Sequence, residues 1–157
     1  MTYLDPASGI QVIEVLPMIN MPNGTLSPSY SAPTFTRAFD ARPFMSALIV
    51  VVAEEFQGDA SGVITLQTTP EETTKGDFND FQDATTTTGA KAQFDAITSA
   101  NDNQCYYATV DFKRAQNALG VKLALTSTGG SRGRVGVYAI CFPYNTANID
   151  ITKQFKV

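Results

Sequence analysis

The 157-residue chain contains no histidine, which removes the commonest general base and the commonest metal ligand from its chemistry. Serine and cysteine triads built on histidine are excluded. Carboxylates remain for acid–base work, and Glu54, Glu55, Asp102 and Asp111 are the candidates for a paired-carboxylate hydrolase. Glu54 and Glu55 are adjacent and would point to opposite faces if a strand ran through both, so the pair reads as a solvated strand end. Asp59, Asp77, Asp80 and Asp83 offer oxygen ligands, but their spacing lacks the glycine and terminal glutamate of a calcium loop. Gly129 to Arg134, GGSRGR, is glycine-rich and basic. It falls between two apolar runs rather than before a helix, so no helix N-terminus is there to hold a phosphate, and it reads as a hairpin loop. Tyr106 and Tyr107, near Asp111, suggest a sugar-stacking platform, but on strand parity one of the two rings must face the core. The expectation is a protein with no catalytic residues, no metal and no cofactor.

The totals point the same way. A net charge of −4 argues against a nucleic-acid partner, because that contact depends on lysine and arginine neutralising phosphates. Two cysteines, Cys105 and Cys141, cannot form a framework of bridges, and the N-terminus lacks a basic start followed by an apolar signal core; a chain made in a reducing cytoplasm is expected. No apolar run approaches the ~20 residues that span a bilayer, so the chain should be soluble, with no membrane partner. Charged residues make up 17%, below the usual ~25%, while threonine is abundant. That suits one sheet-rich domain whose polar surface is threonine, serine and glutamine, or one with much of its surface against neighbours.

The elements are organised around Met45 to Phe56, MSALIVVVAEEF. Ala47 to Ala53 are seven consecutive apolar residues with three adjacent valines, a β-branched density that predicts a strand. Without a polar interruption it needs cover on both faces, as a central strand does. Phe35 and Ala38 to Phe39 read as a first short strand. The loop QGDASG, Gln57 to Gly62, leads to Val63–Thr68, with Ile64 and Leu66 on one face and Thr65 and Gln67 on the other, and the two strands read as a hairpin. One or two strands are expected around Thr86 to Phe94. Cys105 to Lys113 alternates cleanly, with Tyr106, Ala108, Val110 and Phe112 inward. Cys105 then points outward, which disfavours a bond to an inward Cys141. Lys113 to Leu119 reads as a helical turn before the strand Val121–Thr126. Arg134 to Phe142 is apolar on both sides, with Val135, Val137, Ala139 and Cys141 against Tyr138, Ile140 and Phe142, and also needs double cover. Short strands with turn signals and no amphipathic helix predict an all-β fold, an antiparallel β-sandwich of jelly-roll type.

The first third differs. Six of the eight prolines lie before Phe44, so residues 1–33 read as an extended, irregular arm. Ile10, Val12, Ile13, Val15, Leu16, Met18, Ile19 and Met21 make it apolar, and an apolar arm must be buried, along its own domain or against another subunit. The domain proper is expected over 34–146. The tail, 147–157, offers Ile149, Ile151, Phe155 and Val157 as a detachable strand.

Across Thr34 to Thr146 the order of features resembles that of the small head decoration, or cement, proteins of tailed bacteriophages. FDARPFMSALIVVV places an aspartate, a short turn and an aromatic residue before an apolar strand; GVITLQ, a threonine-rich middle, QCYYATVDF, GVKLALT and VGVYAICFPYNT follow in order. The closing strand followed by Tyr144 and Asn145-Thr146 is the most specific piece. The resemblance implies a jelly-roll β-sandwich, a homotrimer, seated on the capsid exterior of the virion where subunits of the major capsid protein meet. On that reading Ile10 to Met21 bridges shell subunits, and Tyr138, Ile140 and Phe142 lie between protomers or under the arm. The rival expectation is a carbohydrate- or receptor-binding β-sandwich of a phage tail, which needs an exposed aromatic strip that a tryptophan-free chain barely supplies.

Overall fold

The computed structural model describes residues 2–4, 9–20, 24–26, 38–69, 79–80, 92–112, 118–128 and 131–143. All of its regular structure is strand: β1 (Thr2–Leu4), β2 (Gln11–Asn20), β3 (Gly24–Leu26), β4 (Phe39–Asp40), β5 (Phe44–Glu54), β6 (Ser61–Thr69), β7 (Asn79–Asp80), β8 (Gln104–Asp111), β9 (Ala118–Thr126) and β10 (Arg134–Pro143). Every pairing is antiparallel. One sheet has the order β1-β2-β10-β5-β8 and the other β3-β9-β6-β7, with β4 also on β9.

The inward residues of both sheets meet in one core. Ala47, Ile49, Val51 and Ala53 of β5 and Val135, Val137, Ala139 and Cys141 of β10 are fully buried, as are Val121 and Leu123 of β9. The arrangement is therefore β-sandwich-like. β5 is central, as its uninterrupted apolar run requires, between β10 and β8. Phe112, against Phe39 edge-on at 6.2 Å and Phe44 at 6.4 Å, closes the core at one end.

Two expectations about chain path are corrected. β5 and β6 are not a hairpin, because they belong to different sheets. The strand stops at Glu54, Glu55 takes a left-handed φ of 52°, and the chain crosses to the opposite sheet. β9 and β10 likewise lie in different sheets, so GGSRGR is part of a crossover. Paired β-branched strands bury one face only, and the crossover lets the second strand bury its own face against the first.

The arm is corrected too. Gln11 to Asn20 is a full strand of the first sheet, paired with β1 on one side and β10 on the other. Its proline does not prevent this, because Pro17 sits at a bulge. Val135 pairs with Ile19 and Val137 with Leu16, so Pro17 and Met18 together oppose the single residue Gly136. A proline needs no ladder partner there. Gly136 makes room: a Cβ on it would come within 3.4 Å of the Met18 backbone. A second shift leaves Val15 as an extra residue between Leu16 and Glu14, and both Val15 and Leu16 are fully buried.

Smaller expectations on residues 34–37, 81–91, 113–117 and 144–157, among them the strand near Thr86 and most of the helical turn, fall outside the described residues. Ala118 and Leu119, read as the end of that turn, begin β9.

Candidate functional site

Four carboxylates, Asp40, Glu54, Asp59 and Asp102, are engaged in structural contacts. Asp102 accepts from the Phe56 amide at 2.7 Å, holding the start of the β5–β6 crossover. Asp59 accepts from the Thr128 amide at 2.6 Å and from its hydroxyl, tying that crossover to the one after β9. The Thr128 hydroxyl hydrogen bond, more than any other cause, lowers the Asp59 pKa from 3.8. Glu54 pairs with Arg134 at 3.1 Å across β5 and β10, both partly exposed. Asp40 accepts from the Arg42 amide at 3.0 Å, from Nε at 2.9 Å and from Nη2 at 2.7 Å. The Arg42 side-chain hydrogen bond dominates in lowering its pKa from 3.8. Asp77 and Asp83 are outside the described residues. Among those described, no cluster of three metal-ligating side chains occurs. The DARP motif thus builds a turn: Asp40 caps it, and the Phe44 amide closes it on the Ala41 carbonyl at 3.1 Å.

The cysteines lie as parity demands. Cys105 is exposed and Cys141 buried, both free, and burial pushes the Cys141 thiol up to about 12. Tyr107 is 75% exposed, while Tyr106 packs against the core and donates its hydroxyl to the Asn101 carbonyl. One ring, not a strip, is presented to solvent at this pair.

What does stand out is the outer face of the first sheet. Leu48, Val50 and Val52 of β5 turn away from the core and stay half-buried. Register places them in rows: Val12, Ile140, Leu48 and Thr109 across β2, β10, β5 and β8, then Glu14, Tyr138, Val50 and Tyr107. Side chains paired across strands share a face, so Val12, Leu48, Val50, Tyr107, Tyr138 and Ile140 form one apolar stripe on the solvent side. Glu54 and Arg134 bound it at one end.

The residues expected to bind partners divide on this face. Ile13, Val15 and Leu16 are in the chain's own core and Ile10 is buried; Ile19 packs against that core, half-buried. The chain's own core accounts for the burial of these side chains without a second subunit. Val12 lies on the stripe, Met18 is half-buried at the bulge, and Met21 is outside the described residues. Tyr138 and Ile140 lie on the stripe, half-buried, whereas Phe142, on the same parity, is buried within the chain. Leu48 and Val50 were not singled out for contact, although the unbroken run around them was the signal.

No family model matches this chain, and comparison with curated proteins and with solved structures finds no match.

Proposed function

We propose that this protein is a jelly-roll decoration protein of a phage head, binding the outside of the shell as a trimer and stabilising contacts between shell subunits. The strand order supports the jelly-roll reading. Counting β2, β3, β5, β6, β7, β8, β9 and β10 as first to eighth, one sheet runs first-eighth-third-sixth and the other second-seventh-fourth-fifth, as two interlocked Greek keys require.

The observation that carries the functional reading is the outer stripe. A sheet that works alone gains by being polar on its solvent side, and a connected apolar face is the mark of a contact surface. In this reading the stripe is the contact between protomers, with Tyr138 and Ile140 joined by Val12, Leu48 and Val50. A protein that binds only the assembled shell stabilises it by linkage, and a trimer multiplies that effect because one particle grips several sites. No catalytic group is needed.

Two measurements test this. The copy number of the chain in purified particles, relative to the main shell protein, should be a simple fixed fraction. A handful of copies would move it to the tail and favour receptor binding, and absence would overturn the reading. Ile140→Asp should leave the sandwich folded but convert a trimer to monomer in sedimentation; a variant that remains trimeric refutes the assignment of the stripe.

A further inference from the structure

β8 is the last strand of its sheet, and among the described strands none pairs with its far side. Proteins blunt such edges with charges, prolines or bulges. This edge has none of them where it matters. Residues 104–110 contain no charged residue, proline or glycine, and Gln104 to Asp111 pair with Ala53 to Ser46 without a register shift. One hydrogen bond fixes which way the backbone points: the Phe112 amide donates to the Met45 carbonyl at 2.9 Å. Alternate residues direct their backbone groups the same way, so those of Tyr106, Ala108 and Val110 turn toward β5. Those of Cys105, Tyr107 and Thr109 turn outward, and all three residues are exposed.

Beside the edge lies an open groove of about 440 Å³, with β8 from Cys105 to Ala108 on one side and Gln93, Phe94 and Asp95 on the other. The second wall borders the opposite sheet: the Phe94 amide donates to the Ile64 carbonyl at 2.9 Å, and Gln93 lies opposite Thr65. The groove is therefore the open side of the sandwich. Phe94 and Tyr106 pack against the core yet stay half-buried, which gives the groove apolar surface. Ala108 is the small residue between Tyr106 and Val110 on this face of β8. At the Tyr106 end the groove is acidic. Asp95 lines it, and the Tyr106 pKa is raised first by burial and further by the charges of Asp102 and Asp95.

We propose that the β8 edge binds an extended segment of another protein as an added antiparallel strand, with an apolar residue opposite Ala108 and, two residues further along that segment, a lysine or arginine opposite Tyr106. The backbone groups of Cys105, Tyr107 and Thr109 supply affinity that does not depend on the segment's sequence. Selection comes from the groove, which buries the apolar side chain and sets the cation near Asp95 and Asp102. A second copy of this chain is the poorer occupant. Pairing two β8 edges would bring another Asp95 and Asp102 to the same groove, like charge against like. The site adjoins the outer stripe at Tyr107 but uses the strand's edge rather than the sheet's face, so it is a second contact surface.

The probe is the blocked heptapeptide Ser-Thr-Val-Thr-Lys-Thr-Ser, whose valine falls opposite Ala108, central threonine opposite Tyr107 and lysine opposite Tyr106. Added to the isotope-labelled full chain at low salt, it should give saturable NMR shifts at the amides of Cys105, Tyr107 and Thr109. At saturation it should slow their hydrogen exchange roughly tenfold or more. The same peptide with glutamate for lysine should bind roughly fivefold more weakly or worse, and Asp95→Asn should shrink that gap. N-methylation of the central threonine removes a ladder donor and should abolish binding. No shift at the three amides, equal binding of the lysine and glutamate peptides, an undiminished gap in Asp95→Asn, or binding of the methylated peptide overturns the proposal. Protection of the three amides that grows with protein concentration before any peptide is added gives the edge to a second copy, and also overturns it. None of these readouts depends on a trimer or a shell.

Discussion

Gly133→Ala should destabilise the fold by about 1–2 kcal/mol, and the reason is one ring. Phe56, only 4% exposed, lies where the β5–β6 crossover meets the entry to β10. A Cβ on Gly133 would sit 2.6 Å from its Cζ, 2.7 Å from Cε1 and 2.8 Å from Cδ1, and a Cβ on Gly62 would sit 2.9 Å from Cε1 and Cζ. The ring is gripped between two glycines, so relief from one drives it toward the other. Overpacking of this kind costs about 1–3 kcal/mol. Gly133 is not among the residues with left-handed backbone, so alanine there carries no conformational penalty and recovers about 0.4–1 kcal/mol by restricting the unfolded chain. The difference is the stated cost. The assay is urea denaturation of the single variants, Gly133→Ala and Phe56→Leu, and of the double variant. If the ring is the cause, Gly133→Ala costs little in the Phe56→Leu background, a coupling of about 1–3 kcal/mol. Additivity within about 0.5 kcal/mol, or a Gly133→Ala protein more stable than its parent, refutes the reasoning.

Thiol titration at pH 8 should find one reactive cysteine, Cys105, and a second only at the rate of unfolding, because burial holds the Cys141 pKa near 12; two equally fast thiols would contradict the core placement. That raised pKa also makes stability fall as pH rises from about 9 toward 12, where the unfolded chain ionises and the folded one does not, by up to about 1.4 kcal/mol per pH unit. Urea midpoints between pH 9 and 11 check it, and they should fall less steeply in Cys141→Ala. At the acid end Asp59 and Asp40 have pKa values lowered in the folded state. Their contribution is present above about pH 3.8 and is lost as pH falls through the folded values, since the unfolded chain takes up the protons first. Asp59→Asn should therefore lower the midpoint at pH 6 and flatten its decline below pH 4; an unaltered slope would show that the Thr128 contact is not made in solution.

The strands were legible wherever packing imposes a period on the side chains. Cys105 to Phe112 and Val121 to Thr126 alternate because one face meets the core, and their observed burial follows that parity. Which strand lies beside which was not legible from such local signals. QGDASG suits a tight turn as well as a crossover, and the choice is made by Phe56 packing against Gly62 and against Gly133, the latter far away in sequence. The same limit hid β2. Its proline argues against a strand locally, yet β10 supplies a partner in which Gly136 accommodates the bulge around Pro17. For the site, parity identified Tyr138 and Ile140 as outward, but their neighbours could be named only once register was known.

The seven-residue run in β5 is explained by its own fold only in alternate residues. Ala47, Ile49, Val51 and Ala53 are completely buried, and nothing more is needed to account for them. Leu48, Val50 and Val52 face the other way and stay half-buried, at positions where threonine or glutamine would pair as well across an exposed sheet. β8 has such residues on its outer face, with Thr109 and Asp111 opposite Leu48 and Ser46. β10, on the other side of β5 and likewise inside the sheet, is also apolar outward at Tyr138 and Ile140. The apolar character is densest on β10 and β5 and reaches β8 at Tyr107, beside the polar Thr109 and Asp111, the shape expected of a contact patch with a polar rim. A partner seated on that patch explains β5 and β10 together, and it explains why the charged pair Glu54–Arg134 stands at the patch boundary rather than within it.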